Sequence, residues 1–183
     1  MPKRATYEDV LSAPENKTAE ILGGELFLSP RPAPPHVAAH SALQALLHTP
    51  FDQGRGGPGG WRILVEPELH LGDDVLVPDV AGWRRERMPA LPATAWFELS
   101  PDWLCEVLSP STESVDRGRK LPIYAAAGVA HVWLVNPIAR TLEVMQLREG
   151  ERMLVTVFTG DQEVRPQPFE TVPLSLAALW DRP

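Results

Sequence analysis

Three residues of this chain have the types and the setting to do chemistry. They are Asp79, Glu106 and Lys120, carried in Val75-Leu-Val-Pro-Asp79-Val, Trp103-Leu-Cys-Glu106-Val-Leu-Ser-Pro and Arg117-Gly-Arg-Lys120-Leu. Each carboxylate interrupts an apolar run that reads as a buried strand, where a charge is costly unless it is paired or bound to a cation. Two such acids in consecutive strands, followed by a lysine, suggest a divalent-cation site. A hard cation such as Mg²⁺ takes oxygen ligands, commonly one or two carboxylates completed by water and substrate phosphate. Held there, it polarises phosphorus, lowers the pKa of bound water and steadies the leaving oxygen. A neighbouring ammonium stabilises the extra negative charge of a pentacovalent transition state or orients the attacking water. The chemistry that such a set supports is phosphodiester hydrolysis.

The elements that must position these groups can be read from the pattern. Tyr7 to Ser12 predicts a short helix ending near Pro14. Ala19 to Leu28 predicts a hairpin, with Gly23-Gly24 as a two-residue turn between apolar runs. Pro30 to Pro35 is a stiff connector, and the spacing of Val37, Leu43, Leu46 and Leu47 predicts an amphipathic helix from His36 to about His48. A glycine-rich loop, Gly54 to Gly60, leads to strands over Trp61–Leu71, with an irregularity at Pro67, then Val75–Trp83 and Trp103–Leu108. Ser114 to Ala127 predicts a helix capped by Gly128, regular only from about Arg119 because of Pro122. His131 to Asn136 is a strand, Thr141–Arg148 and Met153–Thr159 a second hairpin, and Ser175–Trp180 a short terminal helix. This order is that of a mixed α/β sandwich, not of a regular βαβ repeat. Residues two apart on a strand share a face, so Leu104, Glu106 and Leu108 oppose Trp103, Cys105 and Val107.

Composition narrows the classes. A chain of 183 residues, 44% apolar, suits one domain over residues 1–183 with a full core. No apolar run reaches the roughly 20 residues of a membrane span, and the segment beginning Met1-Pro-Lys reads without the apolar stretch of a secretory signal. A single cysteine, Cys105, leaves no internal disulfide and points to a reducing cytoplasm. The net charge of −7 argues against general affinity for nucleic acid while leaving room for a local basic groove.

Several stretches then resemble a known family. They are Pro78-Asp79, Glu106-Val-Leu-Ser-Pro-Ser-Thr, Arg119-Lys120-Leu, Tyr124-Ala and Gly128-Val-Ala-His-Val-Trp-Leu-Val-Asn-Pro137, with Ala5-Thr-Tyr-Glu-Asp, Glu20-Ile-Leu-Gly-Gly-Glu-Leu and the Ser175-Leu-Ala-Ala-Leu tail. They are similar to a widespread bacterial family described as putative restriction endonucleases, within the PD-(D/E)XK nuclease superfamily. The resemblance spans nearly the whole chain. It implies a restriction-endonuclease-like core, a central mixed sheet flanked by helices with an N-terminal hairpin extension, and Mg²⁺-dependent DNA cleavage in which Mn²⁺ can substitute. It carries Asp79 and Glu106 over as metal ligands. The superfamily's usual lysine, two residues after the glutamate, is Leu108 here, and the family's habit of taking it from the following helix points to Lys120. Asn136, where an aspartate is common, is a smaller departure. Glu20 and His36 fall on family positions and are possible auxiliary residues. A homodimer is expected by analogy with nucleases that cut both strands.

Plainer readings stand beside these. His36 and His40 have the spacing of paired zinc ligands, but Val37 occupies the position where a metalloprotease needs glutamate, so ordinary hydrogen-bonding histidines are expected. Glu20 and Glu25 could extend the acidic cluster, although hairpin glutamates usually face solvent. Cys105 should be an inert buried thiol. Arg84, Arg85 and Arg87 suit either phosphate contacts or a solvated turn, and Ser109 and Ser111 suit helix capping. The rival functions are a binding module that kept the fold without the chemistry and a two-carboxylate glycosidase, which requires an aromatic-lined cleft.

Overall fold

In the computed structural model, residues 4–180 are described; Met1 to Lys3, the start of the segment read for a secretory signal, and the last three residues lie outside them. The elements run α1 (Tyr7–Leu11), β1 (Thr18–Leu22), β2 (Glu25–Ser29), α2 (Pro34–Leu47), β3 (Trp61–Val65), β4 (Leu69–Leu71), β5 (Asp74–Leu76) and β6 (Val80–Arg84). They continue with β7 (Trp103–Val107), α3 (Glu113–Val115), α4 (Leu121–Ala126), β8 (His131–Asn136), β9 (Thr141–Arg148), β10 (Glu151–Thr159), β11 (Glu163–Val164) and β12 (Leu174–Ser175). A six-stranded sheet has the order β10-β9-β8-β7-β6-β3, and a four-stranded sheet the order β2-β1-β5-β4. Only β7 and β8 pair in parallel within the larger sheet, which is therefore mixed. This is the mixed α/β architecture expected from the sequence. Among the described residues no helix is long and apolar enough to cross a membrane.

The Gly23-Gly24 turn forms as read, with both residues at positive φ (63° and 84°), a conformation that glycine adopts without a side-chain clash. The two predicted strands Trp61–Leu71 and Val75–Trp83 do not stay whole. Each divides between the two sheets, β3 and β6 joining the large one while β4 and β5 join the small one. The registers explain the break. Trp61 opposes Arg84, Val65 opposes Val80 and Leu69 opposes Leu76, so one antiparallel register runs through both halves. In that register Pro67 and Pro78 occupy the same rung, and neither has an N–H to give the ladder. The ribbon bends there. Glu66, at φ 46°, begins the bend and donates its N–H to the Asp79 carbonyl at 2.9 Å. Asp79 is thus placed at a fold in a hairpin, not within a strand.

The two faces of the large sheet bury different material. On one, Trp103, Cys105 and Val107 join Trp61, Trp133, Phe51 and Phe169, with Ala39, Leu43 and Leu47 of α2 packed over them. Phe169 is the hub of this face, its ring centroid 4.6 Å from Phe51, 4.8 Å from Trp61, 5.0 Å from Trp103 and 5.5 Å from Trp133. On the other, Leu104 and Leu108 pack with Leu22, Leu69 and Leu76 of the small sheet and with Tyr124 of α4. Cys105 is fully buried and burial pushes its thiol up, as an inert core residue requires.

The predicted helix over 114–127 begins at Glu113 and contains a widened, π-type turn at Asp116–Lys120 before α4. Pro122 accounts for it. With no N–H at Pro122, the preceding turn relaxes and the Leu121 N–H reaches the Asp116 carbonyl instead. Gly128, at φ 77°, follows the helix as expected. The predicted terminal helix is shorter than read: Leu174–Ser175 pairs with β11, and only Leu176–Leu179 coils, as a 3₁₀ turn.

Candidate active site

A cleft of about 240 Å³ opens where the hairpin bend, the end of β7, β1 and the start of α2 meet the Asp116–Lys120 turn. Asp79, Glu106, Lys120, Glu20 and His36, all singled out from the sequence, line it together. Asp116 and Glu66, which sequence reasoning did not select, line it too.

Lys120 is the centre of the charge network. Its Nζ lies 2.9 Å from Glu20 Oε1, 3.4 Å from Glu106 Oε1 and 3.5 Å from Asp116 Oδ1. All four residues are buried, with exposures of 1% for Glu20, 3% for Glu106 and Asp116 and 5% for Lys120. Burial works to lower the Lys120 pKa, but Glu106, Glu20 and Asp116 outweigh it, so the ammonium is held above its ordinary value. Glu106 moves the other way for a carboxylate. Desolvation pushes its pKa well up; Lys120 counters in part, while Asp116, Asp79 and Glu20 add to the rise. Asp116 is likewise raised by burial, with Lys120 and a hydrogen bond from Thr112 opposing.

The remaining contacts fix orientation. Tyr124 donates its hydroxyl to Glu106 Oε1 at 2.5 Å. Glu20 Oε1 accepts the Val77 N–H at 2.8 Å, tying β1 to the connector between β5 and β6. Asp79 Oδ2 accepts the Val107 N–H at 2.7 Å, which docks the hairpin bend on the end of β7. His36 Nε2 stands 3.2 Å from Asp79 Oδ1, and although burial works to lower it, Asp79 leads the carboxylates that raise the imidazole above its usual value. Glu20 is therefore not the solvent-facing hairpin residue that the plainer reading expects, whereas Glu25 is exposed and pairs with Arg119 at 2.7 Å.

The donor set fits a hard divalent cation. Glu20, Asp79, Glu106 and Asp116 present four carboxylates to the cleft against the one buried ammonium of Lys120. Glu106 Oε1 is taken by Tyr124 and Lys120, which leaves Oε2 for a ligand, and Asp79 faces the cleft from the bend. An excess of buried negative charge of this kind is what a cation offsets.

The family described as Uma2, putative restriction endonuclease, matches residues 4–178. The chain belongs to the Uma2 family. Among solved structures, it is similar to a protein described as a putative nuclease belonging to DUF820 from Anabaena variabilis, at 25% identity and a TM-score of 0.76. That match covers 96% of this chain and 97% of the other. No curated protein matches. The Uma2 assignment and the solved neighbour establish the restriction-endonuclease-like fold and support a nuclease-like function for this Uma2 chain.

Other residues weighed in the sequence are spent elsewhere. Arg85 pairs with Asp52 at 2.8 Å and Arg87 with Asp102 at 2.8 Å, while Arg84 stacks its guanidinium 4.2 Å from the Trp61 ring centroid. Ser109 and Ser111 do not cap the helix through its backbone: the Ser109 hydroxyl bonds the hydroxyls of Ser111 and Thr112, each at 3.0 Å. Among the described residues, none lining the cleft is Trp, Tyr or Phe, so the aromatic platform that the glycosidase reading requires is lacking there.

Proposed function

We propose that this Uma2 protein is a Mg²⁺-dependent endonuclease that hydrolyses DNA phosphodiester bonds, with Mn²⁺ able to substitute. The observation that carries the reading is the convergence of Asp79 and Glu106 with Lys120 in one cleft whose buried carboxylates outnumber its buried ammonium. Asp79 and Glu106 hold the cation, which when bound supplies Lewis-acid activation of the phosphate and of water. Lys120 stays protonated, because its three carboxylate partners hold it above its ordinary value, so it cannot take a proton from water. Its part is to donate: it stabilises charge gathering on the phosphate and orients the incoming water. Glu20 and Asp116 hold the ammonium in place, and Tyr124 fixes the Glu106 rotamer so that the second carboxylate oxygen faces the cleft. His36 positions Asp79 from the opposite layer.

The same reading takes the protein as a cytoplasmic, single-domain homodimer that brings two such clefts to duplex DNA. Cleavage of plasmid and single-stranded DNA with Mg²⁺ or Mn²⁺ tests it, comparing wild type with Asp79→Ala, Glu106→Ala and Lys120→Ala. Each substitution should abolish metal-dependent nicking; nicking that survives all three places its source elsewhere. Calorimetric titration with Mn²⁺ separates an inactive binding module, which would take up no cation through Asp79.

A further inference from the structure

We propose that His40, Glu66 and Asp79 form a second cation position that shares Asp79 with the first and admits a cation tolerant of imidazole, such as Mn²⁺. It deepens the nuclease reading and rests on it only for the Asp79–Glu106 position.

Three observations meet here. One ligand atom from each of His40, Glu66 and Asp79 lies within 4.8 Å of the other two. Among the described residues His40 Nε2 is buried and has no hydrogen-bond partner; a buried polar atom left unsatisfied is costly, so an atom kept in that state is suited to a ligand. Glu66 takes the left-handed conformation at φ 46°. That conformation begins the ribbon's bend, and Glu66 and Asp79 both line the cleft from it. α2 closes the site from the other layer, bringing His36 and His40 on consecutive turns, with ring centroids 6.4 Å apart. His36 Nε2 reaches Asp79 Oδ1.

The donor types set the selectivity. Two carboxylates suit Mg²⁺ and Mn²⁺ alike, but an imidazole nitrogen favours the transition metal, so this position should discriminate where the Asp79–Glu106 position does not. Two cations bridged by one carboxylate form the arrangement that can stabilise both attacking and leaving oxygens of an in-line displacement.

Mn²⁺ binding to the full chain tests the proposal, with bound ion counted by the electron paramagnetic resonance of free Mn²⁺. Wild type should bind two ions, His40→Gln and Glu66→Gln one, and Glu106→Ala should retain the His40-dependent ion. A His40→Gln protein that binds Mn²⁺ with wild-type stoichiometry and affinity overturns the proposal. If wild type binds one ion that Glu106→Ala removes and His40→Gln does not, the nuclease reading stands and this inference falls; the reverse pattern keeps the inference and sinks the first position. Electron spin-echo modulation of the Mn²⁺-loaded wild type supplies a readout that needs no variant to fold. A ¹⁴N coupling is expected, and its absence overturns imidazole ligation.

Discussion

On one side of β7, Trp103, Cys105 and Val107 enter a core of interlocked aromatic rings; on the other, Glu106 sits between Leu104 and Leu108 and meets an ammonium, a phenol and further carboxylates. Both faces are buried to the same degree, with Trp103 at 0% exposure and Glu106 at 3%. Burial stabilises the first directly, through apolar area and ring contacts worth about 0.5–1.5 kcal/mol per aromatic pair beyond that area. On the second face burial works against the ionised groups, and their mutual attraction must offset it. One strand thus separates the part of the molecule that holds the fold from the part that holds unbalanced charge. Substitutions on the two sides should therefore differ in what they damage.

The largest expected effect is on the aromatic face. Trp103→Ala removes a ring in contact with Trp133 and Phe169 and should lower unfolding free energy by about 3–5 kcal/mol, read from urea denaturation. Mn²⁺ affinity of the folded fraction should be unchanged, and a parallel loss of metal binding would break the separation. Lys120→Met comes next. It strips the buried ammonium from Glu20, Glu106 and Asp116, a change of the kind that costs about 3 kcal/mol or more when the stranded charges cannot escape. Bound Mn²⁺ should recover much of that loss, because a cation can replace the missing one; the aromatic variant should gain no comparable rescue. Tyr124→Phe removes one donor from Glu106, at about 1–2 kcal/mol, and should loosen metal affinity as the carboxylate loses its fixed rotamer.

The aromatic face was more legible in the sequence than the charged one. Alternation along Trp103–Leu108 predicts the division of its side chains between two cores, and that division is found. The hairpins at Gly23-Gly24 and Glu149-Gly150 and the helix on α2 also follow local rules. What local rules could not give is register. Pro67 reads as an irregularity and Pro78 as part of the Val75–Trp83 strand; only their placement on one rung turns a strand pair into a bend between sheets, and that bend is what sets Asp79 and Glu66. Asp116 went unselected although a signal existed: Asp116, Lys120 and Tyr124 are spaced by four and so fall on one helix face. Pro122 interrupts the regular helix along that face, and the widened turn before it keeps all three buried. His40 was judged only against a metalloprotease pattern, and its partners lie 26 and 39 positions away in sequence, beyond any spacing rule.

The smallest change in stability should come with a complete loss of activity, and Glu106→Gln is where to look for it. Desolvation raises the Glu106 pKa well above its ordinary value, despite Lys120. Between that raised value and the ordinary value of the unfolded chain, the folded protein holds a proton that the unfolded chain has released. The carboxylate therefore destabilises the fold at high pH, and the penalty shrinks as pH falls through that window. An amide carries no charge to desolvate, so in chelator-treated protein Glu106→Gln should match or exceed wild-type stability by up to about 1 kcal/mol at pH 8. The advantage should vanish toward pH 4. DNA cleavage, if the cation sits where proposed, should be abolished at either pH. A Glu106→Gln protein that is markedly less stable than wild type at pH 8 would mean that the Lys120 pair, not desolvation, dominates this face, and the contrast between the two sides of β7 would then be one of degree.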